Sequence, residues 1–265
     1  MRRLQLFEFE DLAWVPRAIR DGGTDLLDLG FAKLRFYDGV APKVRALIEA
    51  TGATRIVDTC SGGGGGTLMM RNLLRASGSD VEFVLTDRFP NEAGAARVHA
   101  LGDAKTTYRA GSVDVFDVPA ELVGLRMMSG ALHHFPPDAV RAVIAAVVAQ
   151  RQPLAFLDVA ASPALRRLPM FLLPLAMAMN MLALFVGSLF LVPMVRPLRA
   201  SRLLLTYVLP LIPSLVAWDG TVSALRAYAP EELLTAARSV PGADAYVWAS
   251  GVEGAAIYLT GMPKV

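Results

Sequence analysis

Residues Arg55 to Thr67 constrain the fold more than any other stretch: Arg-Ile-Val-Asp-Thr-Cys-Ser, five consecutive glycines, then Thr. Ile56 and Val57 suit a short buried strand, Asp58 ends it, and Leu68–Ala76 reads as a helix. Glycine has no Cβ, so the chain can turn sharply there and bring its backbone close to a ligand. The helix start just beyond offers N–H groups that have no partner within the helix. Strand, glycine loop and helix in this order predict a parallel α/β sheet with a nucleotide-like ligand at the strand's carboxyl end.

A run of five glycines also satisfies the Gly-x-Gly-x-x-Gly of dinucleotide folds, so the glycines do not choose the ligand. The acid discriminates. A carboxylate at Asp58 would repel a pyrophosphate, but it can serve a ligand bearing an ammonium or hydroxyls. Further acids and strands follow. Val81–Thr86 reads as a second buried strand ending in Asp87, placed to accept hydrogen bonds from ribose hydroxyls. Gly111–Pro119 carries Asp114, Val115 and Asp117. Leu125–Ser129 reads as a strand leading into Gly130-Ala131-Leu132-His133-His134-Phe135, and Leu154–Val159 as another. Ala229–Leu234 opens a helix, with Pro230 in its first turn and Glu231 and Glu232 at its positive end. Ala245–Ala249 and Ala255–Thr260, split by Ser250–Gly254, read as a β-hairpin.

Taken in order, these segments resemble the class I S-adenosylmethionine (SAM) methyltransferases. Ile56-Val57-Asp58-Thr59-Cys60-Ser61-Gly62-Gly63-Gly64 is similar to that family's first motif, hydrophobic-hydrophobic-Asp-x-Gly-x-Gly-x-Gly, with Cys60 in place of the first glycine. The resemblance implies an α/β fold, a doubly wound, mostly parallel seven-stranded sheet closed by a C-terminal β-hairpin. It also implies SAM as cofactor. Asp58, Cys60, Ser61, Gly62, Gly63 and Gly64 would form its loop, with Asp87 and Arg88 at the ribose. Asp114 and Val115 would meet the adenine, with Asp117 as the fallback, and Gly130 would lie beside the sulfonium. An aromatic near Phe36 and Tyr37 often approaches the methionine moiety in this family.

An apolar insert interrupts the pattern. No charged residue occurs from Leu168 to Val195, nor from Leu203 to Trp218. As straight helices the two runs would measure about 42 Å and about 24 Å, against a hydrocarbon core of about 30 Å. Prolines interrupt both, and Arg166 and Arg167 precede the first. Strands before and after the insert must join one sheet, so the chain crosses a membrane either not at all or twice. Two crossings would put Arg196, Arg199 and Arg202 on the far side, against the positive-inside tendency. Helices dipping into one leaflet, with these arginines at the headgroups, are expected, with a short two-helix spanning hairpin as the alternative. The domain boundaries expected are a helical cap over 1–50, a SAM-binding core over 51–162, the apolar insert over 163–220 and a closing helix and hairpin over 221–265.

Composition excludes some classes. The formal net charge is +2 over 265 residues, which gives no general affinity for nucleic acid. A single cysteine excludes an internal disulfide and a cysteine zinc site, and the three histidines show no metal-ligand spacing. Glu8, Glu10 and Asp11 fall where the apolar core of a signal peptide should be, so none is expected. Phe7, Phe9, Leu12 and Trp14 read as residues packing on the domain.

In methyl transfer from a sulfonium the protein mainly aligns acceptor and methyl and excludes water. A hydroxyl or acidic-carbon acceptor gains from a general base, and His134, with His133 as the second choice, is the candidate. Asp158 would orient a substrate or serve the sheet end, and Cys60 packs rather than reacts. The expected function is a methyltransferase at the cytoplasmic face of a membrane bilayer. Its acceptor would be lipophilic: a prenylated quinone or phenol, an isoprenoid, or a lipid. Two alternatives stand beside it: a soluble homodimeric enzyme whose insert forms an apolar lid, and a non-catalytic lipid-binding protein with a degenerate SAM domain.

Overall fold

The computed structural model describes residues 3–159 and 168–264; Arg166, Arg167 and the expected boundary at 162 lie outside the described residues. In chain order the main elements are α1 (Arg17–Lys33), α2 (Ala41–Thr51), β1 (Arg55–Asp58), α3 (Gly65–Ala76), β2 (Glu82–Leu85), α4 (Glu92–His99), β3 (Thr106–Tyr108), β4 (Leu125–Ser129) and α5 (Pro137–Ala149). There follow β5 (Leu154–Val159), α6 (Leu173–Leu191), α7 (Leu211–Arg226), α8 (Pro230–Ser239), β6 (Tyr246–Glu253) and β7 (Ala256–Pro263). The chain forms two compact units, Met1–Arg35 with Ala161–Ala227 and Phe36–Ala160 with Tyr228–Val265. The segment 1–50 is therefore divided at Arg35.

The second unit holds the sheet. Seven strands among the described residues lie in the order β3-β2-β1-β4-β5-β7-β6. β1 to β5 are parallel, and β7 runs antiparallel to both β5 and β6. Ile56 and Val57 of β1, Leu125 to Met128 of β4 and Leu154 to Leu157 of β5 are all buried. Burial of consecutive residues is what a parallel strand covered on both faces requires. β1 is flanked by β2 and β4, so the strand order reverses beside it. Such a reversal opens a crevice at the carboxyl ends, where Asp58 stands.

Three local features depart from the sequence reading. α3 starts at Gly65 rather than Leu68, so two of the glycines form its first turn. β3 is only Thr106–Tyr108, too short for a periodic signal. The hairpin strands run through Ser250 to Glu253, and the turn is Gly254-Ala255, with Gly254 at φ 63°. Gly251 suggested a loop, but it pairs with Tyr258, and Gly261 pairs with Trp248. A Cβ at Gly251 would lie 2.9 Å from the Tyr258 hydroxyl, and one at Gly261 only 2.4 Å from the Trp248 ring. The glycines make room for cross-strand aromatic rings rather than ending the strands.

In the first unit, α1 and α7 bury Leu26, Ile212, Leu215 and Val216 with Val15, Val192 and Val195. The stretch Met170–Met194 around α6 is long and apolar enough to cross a membrane, by length and composition. Ala200–Val208 and α7 form a second apolar pair, bent by 75°. Arg202 departs from its expected place at the headgroups. It is buried, ion-paired with Asp25 of α1, and donates to the Pro197 carbonyl at 3.0 Å. A guanidinium inside an apolar bundle needs such an opposite charge.

Candidate active site

Asp58 ends β1 and is buried. The Ser61 hydroxyl donates to its Oδ2 at 2.5 Å, and the Thr67 hydroxyl donates to the same oxygen. Oδ1 is buried and has no hydrogen-bond partner among the described residues. Burial pushes the carboxyl up to about 7, although the two hydroxyls pull the other way. An unmatched carboxylate oxygen is costly inside a protein, and a ligand ammonium would satisfy it.

The loop that follows is shaped by left-handed backbone. Cys60 has φ 61°, Gly62 φ 49° and Gly64 φ 80°. Cys60 therefore adopts the conformation that glycine would take freely, at a cost of about 1–2 kcal/mol. Its thiol is raised far above the ordinary range by burial, and then by the charges of Asp87, Asp58 and Asp114. It stays protonated and is no nucleophile. Cys60→Gly is expected to fold normally, whereas Cys60→Val should lower the thermal midpoint by about 5 °C, because a β-branched side chain is poorly accommodated at positive φ. Thermal unfolding of the two variants checks this.

Asp87 follows β2 and clamps the loop. Its Oδ2 accepts the Gly62 N–H at 2.8 Å and its Oδ1 the Phe89 N–H at 2.8 Å. Its carbonyl accepts the Val113 N–H at 2.9 Å, which brings in the segment carrying Asp114. Asp114 accepts the Phe116 N–H at 3.0 Å and lies 3.8 Å from the Arg88 guanidinium, itself stacked 5.7 Å from the Phe89 ring. Val115 is buried in the core. Gly63 is held by close packing: a Cβ on Gly94 would lie 3.0 Å from the Gly63 carbonyl oxygen. The carboxylates of Asp58, Asp87 and Asp114 thus gather around Cys60 and the glycine loop.

At the end of β4, Gly130 turns at φ 69° and donates to the Leu157 carbonyl at 2.8 Å. The short turn Leu132–His134 then buries His133. Its backbone N–H donates to Asp158 Oδ2 at 2.6 Å, and its ring Nδ1 meets Asp158 Oδ1 at 2.6 Å. A carboxylate oxygen opposite Nδ1 can only accept, so the ring proton is assigned to Nδ1. His134 is less buried, with its ring centroid 4.3 Å from that of His133.

Two residues of the site gave no sequence signal. Thr67 lies inside a helix, and Tyr108 sits in the short β3, where its hydroxyl donates to the Gly62 carbonyl at 2.8 Å. Tyr37 is buried, with its hydroxyl 2.8 Å from where a Gly66 Cβ would lie and 3.9 Å from the matching point at Gly130. The side chain at Tyr37 thus approaches both the glycine loop and the end of β4.

No family model matches the sequence, and no curated protein matches it. Solved structures do. The plantazolicin methyltransferase BpumL in complex with SAH is 7% identical, with 96% of this chain and 93% of that one covered at a TM-score of 0.58. The O-methyltransferase NcsB1 from neocarzinostatin biosynthesis, in complex with SAM and 2-hydroxy-5-methyl naphthoic acid, is 16% identical, with 93% and 58% covered at 0.52. An O-methyltransferase family protein from Burkholderia thailandensis is 15% identical, with 88% and 57% covered at 0.49. The chain spans little more than half the length of the last two. At such identities the likeness is one of architecture: the chain has the fold of the class I methyltransferases.

Proposed function

We propose that the protein is a SAM-dependent methyltransferase that methylates a hydroxyl of a lipophilic acceptor at the cytoplasmic face of a membrane. The observation that carries the cofactor is Asp58: a buried carboxylate oxygen without a partner among the described residues, beneath a left-handed glycine loop, at the reversal of strand order. The residues present fit SAM. Asp58 would take its ammonium, Asp87 has lone pairs left for ribose hydroxyls, and Asp114, Val115 and Arg88 lie where the adenine end would rest. SAM, when bound, supplies a methyl on a sulfonium leaving group. The fold likeness to methyltransferases holding SAM or SAH agrees with this reading.

His133 is the better base. Asp158 fixes its ring and would stabilise the imidazolium formed when Nε2 takes the acceptor's proton. This clamp moves the preference from His134 to His133. It also favours a hydroxyl acceptor, whose proton must leave as the methyl arrives. A lipophilic acceptor is supported by the apolar insert, which follows directly on β5, the strand that carries Asp158. Keeping such a molecule in lipid avoids exposing about 0.8 kcal/mol of apolar surface per methylene.

The test is incubation of purified protein with methyl-labelled SAM and a total lipid extract. Label in the organic phase supports the proposal. SAM binding without such label, and label on a water-soluble phenol instead, would replace it with the soluble-enzyme reading. Asp87→Asn removes the charge and, because only its amide oxygen can accept, one of the two clamp hydrogen bonds. It is expected to weaken SAM binding by about tenfold to a hundredfold, as loss of a charge-assisted hydrogen bond does. Calorimetry measures this, and unchanged affinity would remove Asp87 from the ribose.

A further inference from the structure

We infer that α6 and the bend preceding α7 form an in-plane anchor that sinks into one leaflet of a bilayer without crossing it. This rests on the membrane reading above and deepens it. Phe171, Leu175, Met179, Leu182, Val186 and Phe190 are exposed at spacings of three or four, which places them on one stripe of a helix. Only 11% of the most apolar part of Met170–Met194 is buried, so this is no core helix. At the 75° bend, Leu204, Val208, Leu209 and Leu211 are exposed as well. The Tyr207 hydroxyl ties the bend to α6 by donating to the Leu189 carbonyl at 2.5 Å.

α7 is different. Ile212, Leu215, Val216, Val222 and Leu225 are buried, and the N-terminal segment runs along the helix. A Cβ on Gly22 of α1 would lie 2.4 Å from Ile212. Trp218 donates to the Phe7 carbonyl at 3.0 Å, and Asp219 accepts the N–H groups of Phe9 and Glu10 at 2.8 and 3.0 Å. Arg226 pairs with Glu8 at 3.1 Å and with Asp11 at 3.2 Å. A spanning α7 would drag these charges, and Arg20, Asp21 and Asp25 of α1, into hydrocarbon, where each is strongly disfavoured. Its 16 residues are also too short, at about 24 Å against about 30 Å.

Parity completes the argument. β5 precedes the insert, β6 and β7 follow it, and all belong to one sheet. With α7 excluded as a span, a crossing by α6 would leave these strands on opposite sides. α6 therefore lies flat. Charge selects lipid over a second copy of the chain as the occupant. From Leu168 to Trp218 the charged residues are Arg196, Arg199 and Arg202, with no acid, and Arg196 and Arg199 are exposed between α6 and the bend. A second copy of this patch would offer these arginines no acid, whereas anionic headgroups neutralise them.

Environment-sensitive labels on Met179→Cys, Phe190→Cys and Val208→Cys of the full chain, in mixed phosphatidylcholine–phosphatidylglycerol vesicles, test this by depth-dependent quenching. All three labels are expected at one shallow depth in one leaflet. Met179 at the midplane with Phe190 near the far surface would overturn the inference. The triple variant Phe171→Glu, Leu182→Glu, Phe190→Glu changes exposed positions. It should bind vesicles at least about tenfold more weakly while keeping its affinity for SAM. SAM binding with no vesicle binding, and a dimer broken by Leu182→Glu, would sink the anchor and leave the methyltransferase reading. Shallow labels with no SAM binding would sink that reading and leave the anchor.

Discussion

His133→Ala is expected to slow methyl transfer by about 10²–10⁴-fold while leaving SAM affinity unchanged, the range a positioned general base contributes. Asp158→Asn should be nearly as damaging, for a separate reason. The asparagine oxygen can still accept the His133 backbone N–H, but its amide would donate to Nδ1. The ring proton would then sit on Nε2, which could no longer accept one from the acceptor. Two readouts separate this from a structural effect. Affinity for SAM in Asp158→Asn should stay close to that of the parent chain, and kcat should fall with little change in KM. Transfer of label to the lipid phase gives the rate. A full rate in His133→Ala, with a collapse in His134→Ala, would return the role to His134.

SAM binding is expected to weaken about tenfold for each pH unit below 7 and to level off above it. In the free protein Asp58 has its carboxyl pushed up to about 7 by burial, from an ordinary 3.8. Below that point it carries a proton, which must leave before the carboxylate can meet an ammonium. Binding therefore releases a proton, and affinity rises with pH until the carboxyl is ionised. Asp58→Asn should flatten the pH dependence and weaken binding at pH 8 by about 10²-fold or more, as removal of one member of a buried pair does. Stability should move the other way. Asp58 holds its proton more tightly folded than unfolded, so its contribution is fully present below pH 3.8. It is lost as pH rises through about 7. Asp58→Asn should thus melt higher than the parent chain at pH 8 without ligand. Calorimetry from pH 5.5 to 8.5 and thermal unfolding check both signs. A flat binding profile in the parent chain would take the ammonium away from Asp58.

The parts legible in the sequence are those fixed by local pattern. β4 and β5 run at the residues their mainly apolar runs marked, as strands buried on both faces do, although each also buries one charged residue, Arg126 and Asp158. Asp58 and Asp87 are legible because each stands at or just beyond the end of a short apolar strand. The hairpin is legible but its turn is not, because Gly251 has the character of a loop residue and only its cross-strand partner Tyr258 explains it.

What the sequence by itself determined is the order of strands, acids and glycines, and the position of the apolar insert. The tertiary structure decided which charges meet. His133 and Asp158 are 25 residues apart and touch because β4 and β5 are neighbours in the sheet. Arg202 and Asp25 are 177 apart and touch because α1 packs along the insert. Strand order and helix packing minimise exposed apolar area over the whole chain, so no local window contains them. The partners of buried charges follow from that packing.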